Sequence, residues 1–144
     1  MTGYDTIPAE QRRWKYRRTE PLTQYVGILG HRVVTQYVSL TVSGFLTLSP
    51  GYAWDGMSWI VRDTPDSMDR SAVHDALYQL GRLGLLPDGW RAQADAVFLE
   101  MGLEEANQVE SRPARWWKKA RARYTWAGVR IFGGLWNRRA AAKE

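Results

Sequence analysis

Residues 69 to 83, DRSAVHDALYQLGRL, constrain the fold more tightly than any other stretch of the chain. Ala72, Val73, Ala76, Leu77 and Leu80 recur at spacings of three and four, the period of a helix with one buried face. His74 and Asp75 stand side by side inside that period, so the turn that carries them lies close to a core. Two ionisable groups there cost free energy unless they find partners.

A second stretch, WRAQADAVFLEMGLEEANQ, offers Ala94, Val97, Phe98, Met101 and Leu103 as an apolar side with Asp95 set among apolar neighbours. Burying an unpaired carboxylate is expensive, so Asp95 requires a donor. His74 and Tyr78 are four apart and share a helical face, while Asp75 is turned about 100° from His74. If the two helices lie antiparallel, His74 and Tyr78 are the obvious partners of Asp95. Asp95 then fixes the His74 tautomer and stabilises its protonated form, leaving the other ring nitrogen to take a proton from water. Asp75 is left to ligate a hard cation together with carbonyls of a glycine-rich loop.

The surroundings of this pair follow from punctuation. Residues 1–13 lack hydrophobic period and read as a mobile arm, with order beginning near Trp14. From Trp14 to Tyr52, short runs rich in Val, Thr, Tyr and Leu are broken by Pro21, Gly27, Gly30, Gly44 and Pro50, which predicts a small antiparallel sheet or a pair of hairpins. Within VVTQYVSLTV, Val34, Gln36, Val38, Leu40 and Val42 fall on one face of an extended strand. The segment SPGYAWDGMSWIVRDTPDS is dense in turn formers yet carries Trp54, Met57, Trp59 and Ile60, which predicts a packed loop. Asp66, Ser67 or Asp69 is expected to cap the first helix, and Asp88 the second, with Gly89 and Trp90 in its first turn. A third, basic and aromatic helix is expected from near Arg115 until Gly133 and Gly134 interrupt or end it. The reading is a single α+β domain over 14–136, a small N-terminal antiparallel β portion followed by three main helices, with a basic tail at 137–144.

Charge divides the chain. Residues 1–111 hold ten Lys/Arg against fourteen Asp/Glu, a net of −4, whereas residues 112–144 hold ten against Glu144 alone, a net of +9. The basic segment interleaves Trp116, Trp117, Tyr124, Trp126, Phe132 and Trp136 with its cations. Such a mixture suits an anionic lipid surface, where rings sit at the interface and Lys and Arg attract headgroups. It also suits a nucleic acid, where rings stack on bases. Trp126, Val129 and Phe132 are expected to pack on the domain, leaving Arg115, Trp116, Trp117, Lys118 and Lys119, and further on Arg138 and Arg139, as candidates for surface binding.

Other chemistries are excluded by composition. With no cysteine there is no thiolate nucleophile, no disulfide and no Cys-ligated zinc. With two histidines, a metal-dependent phosphohydrolase of the His-Asp type lacks ligands. His31 follows Gly30 in a turn, with nothing at metal-ligand spacing, and is read as structural or exposed. The N-terminus, MTGYDTIPAEQRRWKYRR, has no apolar core, and no stretch approaches the ~18 apolar residues of a membrane span. The expectation is a soluble protein made without a signal peptide and without a transmembrane segment.

Two resemblances enter at these residues. GYAWDGMS, AVHDALYQLGR, RAQADAVFLEMG and WAGVRIFGG, in that order, resemble a phage and prophage family known only as domain of unknown function 1353, over roughly residues 14–134. That likeness implies a phage-type protein, cytoplasmic in an infected host or associated with the virion, with a virion or host protein as partner. VHDALY followed by ADAVF is similar to the paired catalytic helices of phospholipases A2, particularly the capsid-borne viral type, which also keeps an aspartate several residues before the histidine, as Asp69 stands here. This second likeness implies His74 as general base, Asp75 as calcium ligand, Asp95 as the residue orienting His74, and Tyr78 as support for Asp95. The candidate calcium loop departs from that pattern: it offers Gly51 and Gly56 with Asp55 between them. Asp55 is a second candidate metal ligand or, with Ser58, an organiser of the loop through backbone hydrogen bonds. The His-Asp-Tyr cluster has an architectural alternative too, as a satisfied polar network holding two helices in register.

Overall fold

The computed structural model describes residues 3–8, 14–55 and 68–141, with side chains described through residue 133. Seven strands and three helices follow one another in the chain: β1 Tyr4–Thr6, β2 Tyr16–Arg18, β3 Leu22–Tyr25, β4 Val33–Val34, β5 Val38–Leu40, β6 Phe45–Leu48, β7 Ala53–Trp54, α1 Met68–Arg82, α2 Trp90–Asn107 and α3 Arg112–Ala141. This is the expected α+β order. The strands form two antiparallel sheets, β1-β2-β7 and β3-β6-β5-β4.

Alternation explains the larger sheet. Val38, Leu40, Leu46 and Leu48 are buried on its inner face, with Leu46 opposite Leu40 and Leu48 opposite Val38. On the outer face Thr23 and Thr47 hydroxyls meet at 3.0 Å. The run VVTQYVSLTV is not one strand, however. Thr35 turns the chain, its hydroxyl 2.8 Å from the Val38 carbonyl and accepting from the Val38 amide at 3.0 Å, so β4 folds back on β5. The turn resets the alternation, so that Val33 is buried and Val34 exposed, while Val42 is exposed in the next turn, where the Gly44 amide donates to the Thr41 carbonyl at 3.0 Å.

The segment read as a mobile arm contributes β1, so order begins before Trp14. The Tyr4 ring meets Tyr16 at 5.8 Å and Trp54 at 6.0 Å, both edge-on, and this aromatic anchoring outweighs the lack of hydrophobic period. Residues 9–13, the loop positions Gly56, Met57, Ser58, Trp59 and Ile60, and the caps Asp66 and Ser67 lie outside the described residues.

Polar ties fasten the β portion to the helices. Buried Arg18 on β2 donates to Asp69 at 2.7 Å, so Asp69 lies inside the first turn of α1 as a partner of the sheet. The Trp54 indole donates to Ser71 at 3.0 Å, and Gln93 of α2 donates to the Val26 carbonyl at 2.8 Å. Asp88 does not cap α2: Gly89 occupies the N-cap position with φ 82°, a conformation that suits glycine.

The helices run up, down and up. Going along α1, Arg70 meets Gly102 and Glu105, His74 meets Asp95 and Phe98, Tyr78 meets Arg91, and Gly81 meets Trp90, so α2 is antiparallel to α1. Gly102 against Ala122 and Asp95 against Arg130 make α3 antiparallel to α2. Contrary to the expected stop at the tandem glycines, α3 begins at Arg112 and continues through Gly133 and Gly134 to Ala141, taking in the start of the segment read as a tail. A Cβ on Gly133 would stand 2.7 Å from the Tyr78 hydroxyl, so this glycine serves a close helix approach and not a break.

Candidate functional site

The fold brings His74, Tyr78 and Asp95 together as the antiparallel arrangement requires. His74 Nε2 lies 2.7 Å from Asp95 Oδ1, and the Tyr78 hydroxyl donates to the same oxygen at 2.8 Å. The other carboxylate oxygen, Oδ2, accepts from Arg130 Nη1 at 2.8 Å. Arg91 closes the cluster: its Nε donates to the Tyr78 hydroxyl at 3.0 Å, and its Nη2 to the Arg130 carbonyl at 3.0 Å. Asp95 is therefore a hub that joins all three helices through one side chain. The His74 ring is also packed at 4.3 Å from Tyr78 and 5.0 Å from Phe98.

Charge within the hub follows from these partners. Burial pushes the Asp95 carboxyl up, but hydrogen bonds from His74, Tyr78 and Arg130 outweigh it and hold the group below the usual carboxylate range. Burial pushes His74 down, and this wins over the pull of Asp95, whose charge is already answered by Arg130; Arg91 acts in the same downward sense. His74 is thus a neutral imidazole at neutral pH, with Nε2–H donating to Asp95. Burial and the Asp95 charge push the Tyr78 hydroxyl upward, which keeps it a donor.

Asp75 faces different surroundings. It lines a cleft of about 360 Å³ whose walls include Asp55, Gln36, Gln79, Tyr37, Trp14 and Arg82. Both candidate metal ligands thus reach one cavity, while His74, 2% exposed, does not line it. Among the described residues, no three His, Cys, Asp or Glu side chains converge as a metal cage. Two carboxylates and two amide oxygens suit a hard cation in kind. They are few in number, and the Arg82 guanidinium shares the cleft.

The surface candidates divide. Trp116 and Trp117 are exposed and meet edge-on at 4.9 Å. Lys118 and Lys119 are half-buried. Arg115 is engaged in folding, donating to the Val109 carbonyl at 3.0 Å and so bracing the α2–α3 turn. The side chains of Arg138 and Arg139 lie outside those described. Val129 is buried as expected and Trp126 half-buried, but Phe132 is exposed, because the contact side of α3 runs through Ala122, Thr125, Val129 and Gly133. His31 is exposed, with Nδ1 3.1 Å from the Leu29 carbonyl.

Sequence reasoning did not single out Arg91 and Arg130. Arg91 stands four residues before Asp95, at the spacing of a helical pair, and that was its available signal. Compared with protein-family profiles, with characterised proteins and with solved structures, the chain matches none.

Proposed function

We propose that the protein is a hydrolase of phospholipase A2-like design in which His74 is the general base, oriented by Asp95 and supported by Tyr78. The observation that carries this reading is the 2.7 Å pairing of His74 Nε2 with Asp95 Oδ1, shared with the Tyr78 hydroxyl. That pairing assigns proton transfer to Nδ1. A base must be unprotonated before it acts, and the neutral ring meets that need. As water attacks an ester carbonyl, His74 takes its proton and Asp95 stabilises the imidazolium that results; the tetrahedral intermediate then collapses with cleavage of the ester C–O bond, and the imidazolium returns the proton to the leaving alcohol oxygen. Asp75 and Asp55 would hold a calcium ion, whose chemistry when bound is polarisation of the ester carbonyl. The resemblance to phage proteins supports extending the proposal to a phage accessory protein that acts in the infected cell or in the virion.

A second reading draws on burial. His74 is 2% exposed and Asp95 and Tyr78 wholly buried, which favours a non-catalytic virion or host-interaction protein whose polar hub is architectural. Water reaches His74 only if the packing around it opens locally. Fatty-acid release from phospholipid–detergent micelles decides between the two. The hydrolase reading expects calcium-dependent release by the wild type, and loss of at least 100-fold in His74→Gln and Asp75→Asn variants that keep their melting temperature. No release with or without calcium gives the architectural reading the field.

A further inference from the structure

The outward side of α3 is apolar where a surface helix should be polar. Ala122, Thr125, Val129 and Gly133 are buried, and the opposite side carries Trp117, Tyr124 and Ile131, exposed by 68%, 67% and 71%. These three are seven residues apart, a spacing that drifts by only ~20° per repeat on a straight helix, so they form one stripe within about 40° of arc. Trp116 stands at the edge of that stripe and is exposed as well. Around it, residues 112–141 carry nine Lys/Arg and no Asp or Glu. A helix with an apolar stripe and an undiluted positive charge has the composition of one that lies in a membrane interface. Among the described residues no helix is long and apolar enough to cross a membrane.

We infer that the outer face of α3 docks on an anionic lipid surface, with Trp117, Tyr124 and Ile131 entering the headgroup boundary and the flanking cations, Arg121 and Arg123 among them, meeting lipid phosphates. Charge decides against a second copy of the chain, because two such faces would set like charges against each other. Side-chain chemistry decides against nucleic acid, since bases stack on rings and Ile131, the most exposed of the three, offers none. Ile131 and Trp117 gain from leaving water, and the cations gain from a negative surface. The inference is independent of the hydrolase reading, because α3 docks through a side of the domain that contributes nothing to the His74–Asp95 pair or to the Asp75 cleft.

Co-sedimentation of the full chain with vesicles tests it, in the presence of a chelator so that no bound calcium bridges protein and lipid. Vesicles of phosphatidylglycerol and phosphatidylcholine at equal parts should bind the wild type at least tenfold more tightly than pure phosphatidylcholine, and binding should weaken as salt rises from 50 to 300 mM. Ile131→Asp and Trp117→Asp should each lose most of that binding while keeping the circular dichroism spectrum and melting temperature of the wild type. Ser substitution at Tyr25 and Leu29, exposed on the far β portion, should leave it unchanged. Wild-type binding that is absent, or equal for both vesicle types, overturns the inference without recourse to any variant. So does vesicle binding that survives both α3 substitutions, or loss in those variants of binding to single-stranded DNA or to an acidic protein with vesicle binding intact.

Discussion

His74 and Asp75 are neighbours in the chain and strangers in the structure. One faces α2, where Asp95, Tyr78, Arg91 and Arg130 satisfy each other in a closed set. The other lines a cleft beside Asp55, Gln79 and Arg82. A rotation of about 100° along one helix separates them, and it changes what an ionisable group does. On the hub side the energetic issue is desolvation, so each side chain matters through its partners. Asp75 is itself only 9% exposed, but it borders an open cleft and not a second helix, so a substitution there should alter binding more than folding.

The comparison can be broken most forcefully at Asp95. Asp95→Ala removes the acceptor of three donors from two helices, and a loss of about 3 kcal/mol is expected in urea denaturation, as for the breaking of other buried ion pairs. A loss below about 1 kcal/mol would mean that the hub does not hold the helices. Next comes Gly133, where Ala would press a methyl against the Tyr78 hydroxyl. Gly133→Ala should cost about 1–3 kcal/mol in the wild type through overpacking. With Tyr78→Phe in the background, the same substitution should cost about 1 kcal/mol less, since the 2.7 Å obstruction is gone and only the approach to Arg91 Nη2, at 3.0 Å, stays tight. If the cost is the same in both backgrounds, the approach to the Tyr78 hydroxyl is not the reason for glycine.

Acid provides a third test. The folded-state pKa of His74 lies below the ordinary 6.5, so the unfolded chain takes up that proton first. Stability is therefore fully present above pH 6.5 and declines as pH falls through the range between that value and the folded pKa, with a slope of at most ~1.4 kcal/mol per pH unit for one proton. His74→Gln should abolish the slope between pH 6.5 and 5. The Asp95 carboxyl, held below the ordinary 3.8, adds a separate decline below that pH, which the variant should weaken because His74 is the first of the partners that hold this carboxyl down. The smallest effect is expected at Asp75→Asn, a near-isosteric change, at about 1 kcal/mol or less in the same denaturation assay. A cost comparable to that of Asp95→Ala would mean that the fold depends on Asp75 as it does on Asp95, and would remove the contrast.

How much of this was legible follows from what each residue type permits. Asp95 in an apolar stretch admits few solutions, and His74 and Tyr78 at i and i+4 supply one, so the central triad could be read without a structure. Arg130 could not, because ten Lys/Arg crowd residues 112–144 and composition alone makes them a surface. Docking of α3 selects one of them as a buried carboxylate's partner. The tandem glycines were misread for a related reason: a glycine that ends a helix and a glycine that lets two helices touch are the same letter. The hairpin at Thr35 was hidden because a threonine that bonds to the backbone three residues on is indistinguishable, by pattern, from one on the polar face of a strand.

The hub also has a history during synthesis. Two donors to Asp95, His74 and Tyr78, precede it in the chain, whereas Arg130 follows it by 35 residues. At a translation rate of ~5–20 residues per second, Asp95 is made about 2–7 s before that guanidinium. Over those seconds Oδ2 keeps its hydration and the flank that faces α3 stays open. Docking of α3 then brings the third donor and covers Oδ2, which makes α3 the latch of the nascent fold.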